Sequence, residues 1–263
     1  DAGAFGPFAK CELEDEYLVS DVNNFNSENN KISSKKIKLD NFKLDNSPKN
    51  VILSSSLGAL IRSIDTMFNK KSTMISRTFS ENSFKLLFNN LPKVLKKNNN
   101  LEYWSNMQWG AYLSMAAHSN SANGPSAAVA YFLSSNYNIS QGLSYAISGI
   151  YFFERNHQKG FYEYSKLFDL IEKKPNKKSL SKREKSKFVI YSLIEILKHN
   201  KLTLKNANIP KNANEKILQF ISKAFNKSRY YKAITLTRLN NPIILSKKDL
   251  IIIINKILNK KNR

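Results

Sequence analysis

The sequence predicts a mainly α protein, a bundle of helices, on three observations. From residue 51 onward, apolar residues recur at three- and four-residue spacing in segment after segment, the period of a helix buried along one side. Cap residues, glycine and proline punctuate those segments where helices start and stop. Strand-like alternation is confined to the first 50 residues, which separates residues 1–50 from a helical unit at 51–263.

Taken in order, residues 8–14 alternate as a half-buried strand does. An Asn-rich polar stretch over 23–36 predicts a loop, Ile37, Lys38 and Leu39 a second short strand, and Asp45 to Pro48 a turn. Ser54, Ser55 and Ser56 then offer N-caps for a helix with Leu57, Leu60, Ile61, Ile64, Met67 and Phe68 on one stripe. A second helix is expected from near Ser80, with Glu81 in its first turn, Phe84, Leu87, Phe88 and Leu91 inward, and a kink at Pro92. The third, over 101–117, carries Trp104, Trp109, Tyr112 and Met115. Asn123, Gly124 and Pro125 break the chain. The next two, 126–133 and 141–153, are small and apolar nearly all round, which predicts a place at the centre of the bundle. Amphipathic helices follow at 162–172, 182–199, 215–224 and 247–258, separated by linkers holding Pro175 and Pro210. Residues 250–254 have strand propensity, but Ser246 with Asp249 three residues on favours a helix start.

Composition narrows the function. Cys11 is the sole cysteine, so an internal disulfide and a cysteine-based metal cluster are excluded; a reducing, cytoplasmic setting is expected. No uninterrupted apolar run approaches the roughly 18 residues of a membrane helix, and the first residues lack a charged-then-apolar signal pattern. The net charge of +22 invites a nucleic-acid or anionic-membrane reading. Only seven of the 42 basic residues are Arg, however, and Arg is the residue that reads bases and forks onto phosphate. The lysines are scattered through a chain rich in Asn and Ile, with local clusters such as Lys177, Lys178, Lys182, Arg183, Lys185 and Lys187. Coding bias explains this charge better than dedicated nucleic-acid binding does.

Four segments together resemble the iron-containing alcohol dehydrogenase family, related to glycerol dehydrogenase and dehydroquinate synthase. Residues 1–9 (Asp-Ala-Gly-Ala-Phe-Gly-Pro-Phe-Ala) look like the family's Thr-Ala-Gly-Thr-Gly-Ser-Glu segment and the strand after it. Residues 57–65 (Leu-Gly-Ala-Leu-Ile-Arg-Ser-Ile-Asp) look like its Gly-x-Asp-Ala-Leu-x-His-x-Ile-Glu helix, with Asp40 and Pro48 upstream where the family has an Asp-Pro and a Pro. Ala127 through Tyr131 to Gln141 and Gly142 keeps the spacing of its two histidine-bearing segments. Residues 239–246 resemble the Asn-Pro-Arg-x-Leu-Thr that opens its last helix.

The resemblance implies the helical C-terminal domain of the dehydroquinate synthase-like fold, preceded by one or two residual strands of a truncated α/β nucleotide-binding domain. It implies NAD(P), a divalent metal, an alcohol, aldehyde or keto-acid substrate, and assembly as a homodimer or larger. The family's Gly-rich pyrophosphate loop would lie upstream of Asp1, and a truncated reading frame is the favoured expectation over a processed product. Gly3 and Gly6 are the remaining candidates for cofactor contact, with Phe5 and Pro7 intruding; Pro7 has no N–H to give.

In the family, one Asp and three His hold the metal. The corresponding positions here are Gly58, Arg62, Ala127 and Gln141, with Tyr131 at a further position often occupied by His. Gly and Ala carry no side-chain donor, Arg is a permanent cation, and one Gln binds weakly, so no metal is expected. The histidines lie elsewhere: His199 at a helix end as a surface charge, His157 on a loop, and His118 as a residue able to line a cleft. Gly58 fits relaxed constraint, since glycine inside a helix costs about 1 kcal/mol against Ala.

Two readings remain for the site. The preferred one is a non-catalytic relative that binds without turning over. The alternative gives Arg62 part of the metal's electrostatic work, donating to a substrate oxygen or carboxylate with Gln141 and Tyr131 adding donors. The bland reading of Arg62 is a surface pair with Asp65, worth about 0.3–0.5 kcal/mol. A basic nucleic-acid-associated helical protein stands third. The small residues of 114–126 suit either a cleft lining or tight packing, and packing is preferred.

Overall fold

A computed structural model describes residues 48–202 apart from 97–99 and 176–178, then 204, 209, 210, 212, 213, 215–217, 219 and 240–258. The two expected strands, Gly3, Gly6 and most of the expected helix at 215–224 lie outside these residues. Among the described residues there is no strand.

The first helix, α1, spans Lys49–Phe68 and starts at Pro48, not at the serines. Pro48 is the N-cap, and its carbonyl accepts from the Val51 and Ile52 N–H groups (2.9 and 3.1 Å). Ser54 and Ser55 sit inside the helix, each hydroxyl donating back to the carbonyl of Val51 (3.2 and 2.7 Å). Helix α2, Met74–Val94, begins six residues earlier than the sequence suggested. Its cap is Thr73, whose hydroxyl accepts from the Ser76 N–H (3.0 Å) while the Ser76 hydroxyl accepts from the Thr73 N–H (2.8 Å); serine takes the place usually held by Glu. Helix α3, Leu101–Ser119, is capped by the Asn100 side chain. Helices α4, Pro125–Tyr137, and α5, Gln141–Gln158, are joined through Asn138 in the left-handed region, φ +52°.

The segment expected to be an α-helix at 162–172 is a 3₁₀ helix, Glu163–Leu170. Tyr164, Leu167 and Leu170 recur every third residue, which aligns them on one face of a three-residue turn and not of an α-helix. Helix α6, Lys182–His199, carries a Ser181/Glu184 capping box, and α7, Lys247–Ile257, a Ser246/Asp249 one. The latter settles residues 250–254 as helical.

Helix α1 is the centre of the bundle. Fifteen of its 20 residues are buried, and it packs against α2, α3 and α5. Its length and composition would suffice to cross a membrane, with a mean hydropathy of 1.3, but 83% of that window is buried by the surrounding helices. The sequence reading, which looked for uninterrupted apolar runs, missed this. Of residues 126–133, expected at the centre, all but Tyr131 are buried, in a helix that packs on α5.

Glycine permits the α1–α5 contact. A Cβ on Gly58 would stand 3.0 Å from the Gly142 Cα, one on Gly142 would stand 2.7 Å from the Ser54 carbonyl oxygen, and one on Gly149 would stand 2.0 Å from Ile61 Cγ2. Gly58 is therefore a close-packing position, and relaxed constraint is the wrong account of it. At the other end of α5, Asn156 and Asn241 exchange amide hydrogen bonds of 3.0 and 2.9 Å. Arg155 pairs with Asp249 at 2.6 Å, with Lys159 on the second carboxylate oxygen at 3.6 Å. These contacts seat the 240–246 segment and α7 on α5.

Candidate functional site

Arg62 lies in the second half of α1 with 8% of its surface exposed, and its guanidinium donates to the Met115 sulfur on α3. Asp65, three residues on, is 5% exposed. Neither belongs to a helix surface, so the exposed-pair reading does not describe them. Asp65 Oδ2 accepts from Ser126 Oγ (2.7 Å), Tyr145 Oη (3.0 Å) and the Gly124 N–H (3.1 Å). One carboxylate thus ties α1 to the start of α4 and to α5. Burial pushes its carboxyl up to about 6, against the opposing effect of those three donors. Gly124 is needed there, because an added Cβ would fall 2.0 Å from Asp65 Oδ1.

Beside this anchor lies a cavity of about 60 Å³. Arg62, Ala127, Tyr131 and Gln141 all line it, so three of the four residues that the resemblance set at ligand positions share one space with the further tyrosine. Gly58 does not line it and sits at the α1–α5 crossing. Gln141 is the first residue of α5 and half-buried, Tyr131 is half-exposed, and Ala127 with Ala130 forms an apolar wall.

His118, near the end of α3, lines the same cavity. Burial, reinforced by the Arg62 charge, pushes its pKa down to about 4, so it is neutral at pH 7. Its Nδ1 is buried without a hydrogen-bond partner among the described residues. His157 belongs to the last turn of α5 and not to a loop, its Nδ1 lying 2.9 Å from Ser186 Oγ. His199 is exposed in the last turn of α6.

The lining offers a guanidinium, two amides, two phenols and a neutral imidazole around roughly two water molecules' share of volume. That suits a carbonyl or carboxylate group entering from a small molecule. Arg62, Ala127 and Gln141 together offer one neutral amide oxygen beside a fixed positive charge, a donor set that fits a divalent cation poorly. Among the described residues, no group of three or more His, Cys, Asp or Glu side chains converges. The residues that could touch a dinucleotide, Gly3 and Gly6, are outside the described part.

Sequence reasoning overlooked Tyr145 and the anchoring role of Asp65. A signal existed: Tyr145 is four residues from Gln141, hence on the same face of α5. The preference for packing in 114–126 holds for Ala117, fully buried, but Gly124 and Ser126 serve Asp65.

The described helices thus form a bundle with a donor-lined cavity between α1, α3, α4 and α5. The chain belongs to the Fe-containing alcohol dehydrogenase family, whose C-terminal portion matches residues 52–258. Solved structures agree in fold. They include 1,3-propanediol oxidoreductase (16% identity, TM-score 0.68, covering 83% of this chain and 54% of that one). The alcohol dehydrogenase from Oenococcus oeni matches at 17% identity and TM-score 0.67, over 82% of this chain and 54% of that one. Sulfoacetaldehyde reductase from Bifidobacterium kashiwanohense, solved with NAD+, matches at 15% identity and TM-score 0.65, over 84% and 54%. The chain spans about half the length of these structures. No curated protein matches it by sequence. The described part is the helical C-terminal domain of the family fold.

Proposed function

We propose that this chain is a divergent member of the family that works without a metal and holds a small alcohol, aldehyde or keto acid on Arg62 without turning it over. In this reading residues 51–263 form the ligand domain and residues 1–50 the end of the cofactor domain, in a cytoplasmic protein. The observation that carries the reading is the buried guanidinium of Arg62 lining one cavity with Ala127, Tyr131 and Gln141. A buried cation there repels a divalent ion and attracts a carboxylate or a polarised carbonyl.

The test is the melting temperature of the whole chain. Zinc, iron(II) or nickel should leave it unchanged, while glycolate or lactate should raise it in an Arg62-dependent way, since a ligand that binds only the folded state stabilises it. A large metal-dependent rise would overturn the reading.

A second reading draws on one further observation: the Arg62 charge acts on both His118 and Tyr145. In that reading Arg62, with Gln141 and Tyr131, supports metal-independent reduction of a carbonyl by NAD(P)H once a complete cofactor domain is present. NAD(P)H provides the hydride when bound; these side chains would orient the carbonyl and stabilise charge on its oxygen. Aldehyde-dependent oxidation of NAD(P)H that survives EDTA and disappears in Arg62→Met would favour this reading over simple binding.

A further inference from the structure

The basic cluster singled out in the sequence divides in two once folded. Lys182 pairs with Glu163, and Lys185 pairs with Asp169 at 3.4 Å. Arg183 and Lys187, one helical turn apart on α6, enter no ion pair among the described residues and are exposed. Both lie over tyrosine rings: Arg183 6.0 Å from the centre of Tyr162, Lys187 5.4 Å from the centre of Tyr191. These four side chains line a cleft of about 520 Å³ between the last turn of α5 and the first turns of α6, joined by His157.

Two carboxylates also line the cleft, and both are engaged. Glu154 pairs with Lys256 at 2.7 Å, and Glu184 caps its own helix by accepting from Ser181. The positive field is felt at His157, whose pKa is pushed down by burial and then by Arg183 and Lys187.

We propose that this cleft binds a mononucleotide, with its phosphate on Arg183 and Lys187 and its base against the faces of Tyr162 and Tyr191. The volume falls within the range of small-molecule clefts, about 300–1,000 Å³. Guanidinium and ammonium groups recognise phosphate oxygens, and a tyrosine face accepts any flat base. A simple anion would use the cations and leave the rings idle; a neutral nucleoside would do the reverse. This site is separate from the Arg62 cavity. His157 lies sixteen residues from Gln141 along α5, about 24 Å at 1.5 Å per residue.

The experiment is calorimetric titration of the whole chain with AMP, adenosine and inorganic phosphate, alongside NMR titration of His157. AMP should bind at least tenfold more tightly than either fragment. Bound phosphate should raise the His157 pKa by offsetting the two cations. The double variant Arg183→Ala with Lys187→Ala, and separately Tyr162→Leu, should each weaken AMP at least tenfold. Lys85→Ala, which removes an exposed lysine of α2 that does not line the cleft, should leave binding unchanged. Three results would each overturn the proposal: no AMP binding, AMP binding indifferent to the cleft variants, or phosphate alone binding as tightly as AMP. Tighter binding of a single-stranded oligonucleotide than of AMP would likewise overturn it, replacing the small ligand with a nucleic acid.

Discussion

Replacing Asp65 by Asn should change how stability depends on pH more than how large it is. In the folded chain Asp65 titrates at about 6, against 3.8 when exposed. Between those values the folded state keeps a proton that the unfolded state has lost, so stability falls as pH rises through the window. A gap of about two units amounts to about 3 kcal/mol at 1.36 kcal/mol per unit. His118 works in the opposite sense. Its pKa drops from 6.5 to about 4 on folding, so the unfolded state holds the extra proton and stability rises with pH from about 4 to 6.5, again by about 3 kcal/mol. The two nearly cancel between pH 4 and 6. In Asp65→Asn the His118 contribution stands uncovered, and stability should climb by about 3 kcal/mol from pH 4 to 6.5 relative to the parent. In His118→Gln the slope should reverse. The assay is urea unfolding at half-unit pH steps with a common m value. The slope is the readout, so a constant offset from altered hydrogen bonding does not matter. Curves for parent and Asp65→Asn that run parallel, within about 1 kcal/mol across the window, would refute the argument.

Other outcomes follow from the packing. Gly124→Ala forces a methyl to within 2.0 Å of Asp65 Oδ1 and should cost about 3 kcal/mol by overpacking, read as a lower urea midpoint. Gly142→Ala drives a methyl against the Ser54 backbone and should cost about as much, while Gly160→Ala meets no neighbour and only a positive φ, for about 1 kcal/mol. Asn241→Ala strands the buried Asn156 amide and should cost about 1–3 kcal/mol in the same assay. Asp249 is held well below the usual carboxylate range: burial works against its charge, and hydrogen bonds from Ser246 and Arg155 outweigh burial. Its contribution is present above pH 3.8 and lost as pH falls below that, so Asp249→Asn should flatten the acid limb of the stability curve.

The helical character was legible locally. Apolar stripes, the Ser246/Asp249 cap and the boundaries of 182–199 depend on neighbours three and four residues away, and those neighbours are written in order along the chain. So were the three family-like segments within 52–258, where the family match falls, because their order and spacing are linear facts. Helix starts were misjudged where a less common cap won, as at Pro48 and Thr73, and the 3₁₀ segment where a three-residue repeat was taken for a helical one.

What the linear order could not contain is which backbone approaches which. The sequence by itself carried the family-like order and spacing, and through that resemblance the expectation that Gly58, Arg62, Ala127 and Gln141 stand at the family's ligand positions. Only the tertiary structure decided that Gly58 meets Gly142 at a helix crossing, that Asp65 gathers three donors from α4 and α5, and that His118 closes on the Arg62 cavity. Periodicity specifies a face within one helix. Burial, pKa and close contact arise between helices, where distance through space is independent of distance along the chain.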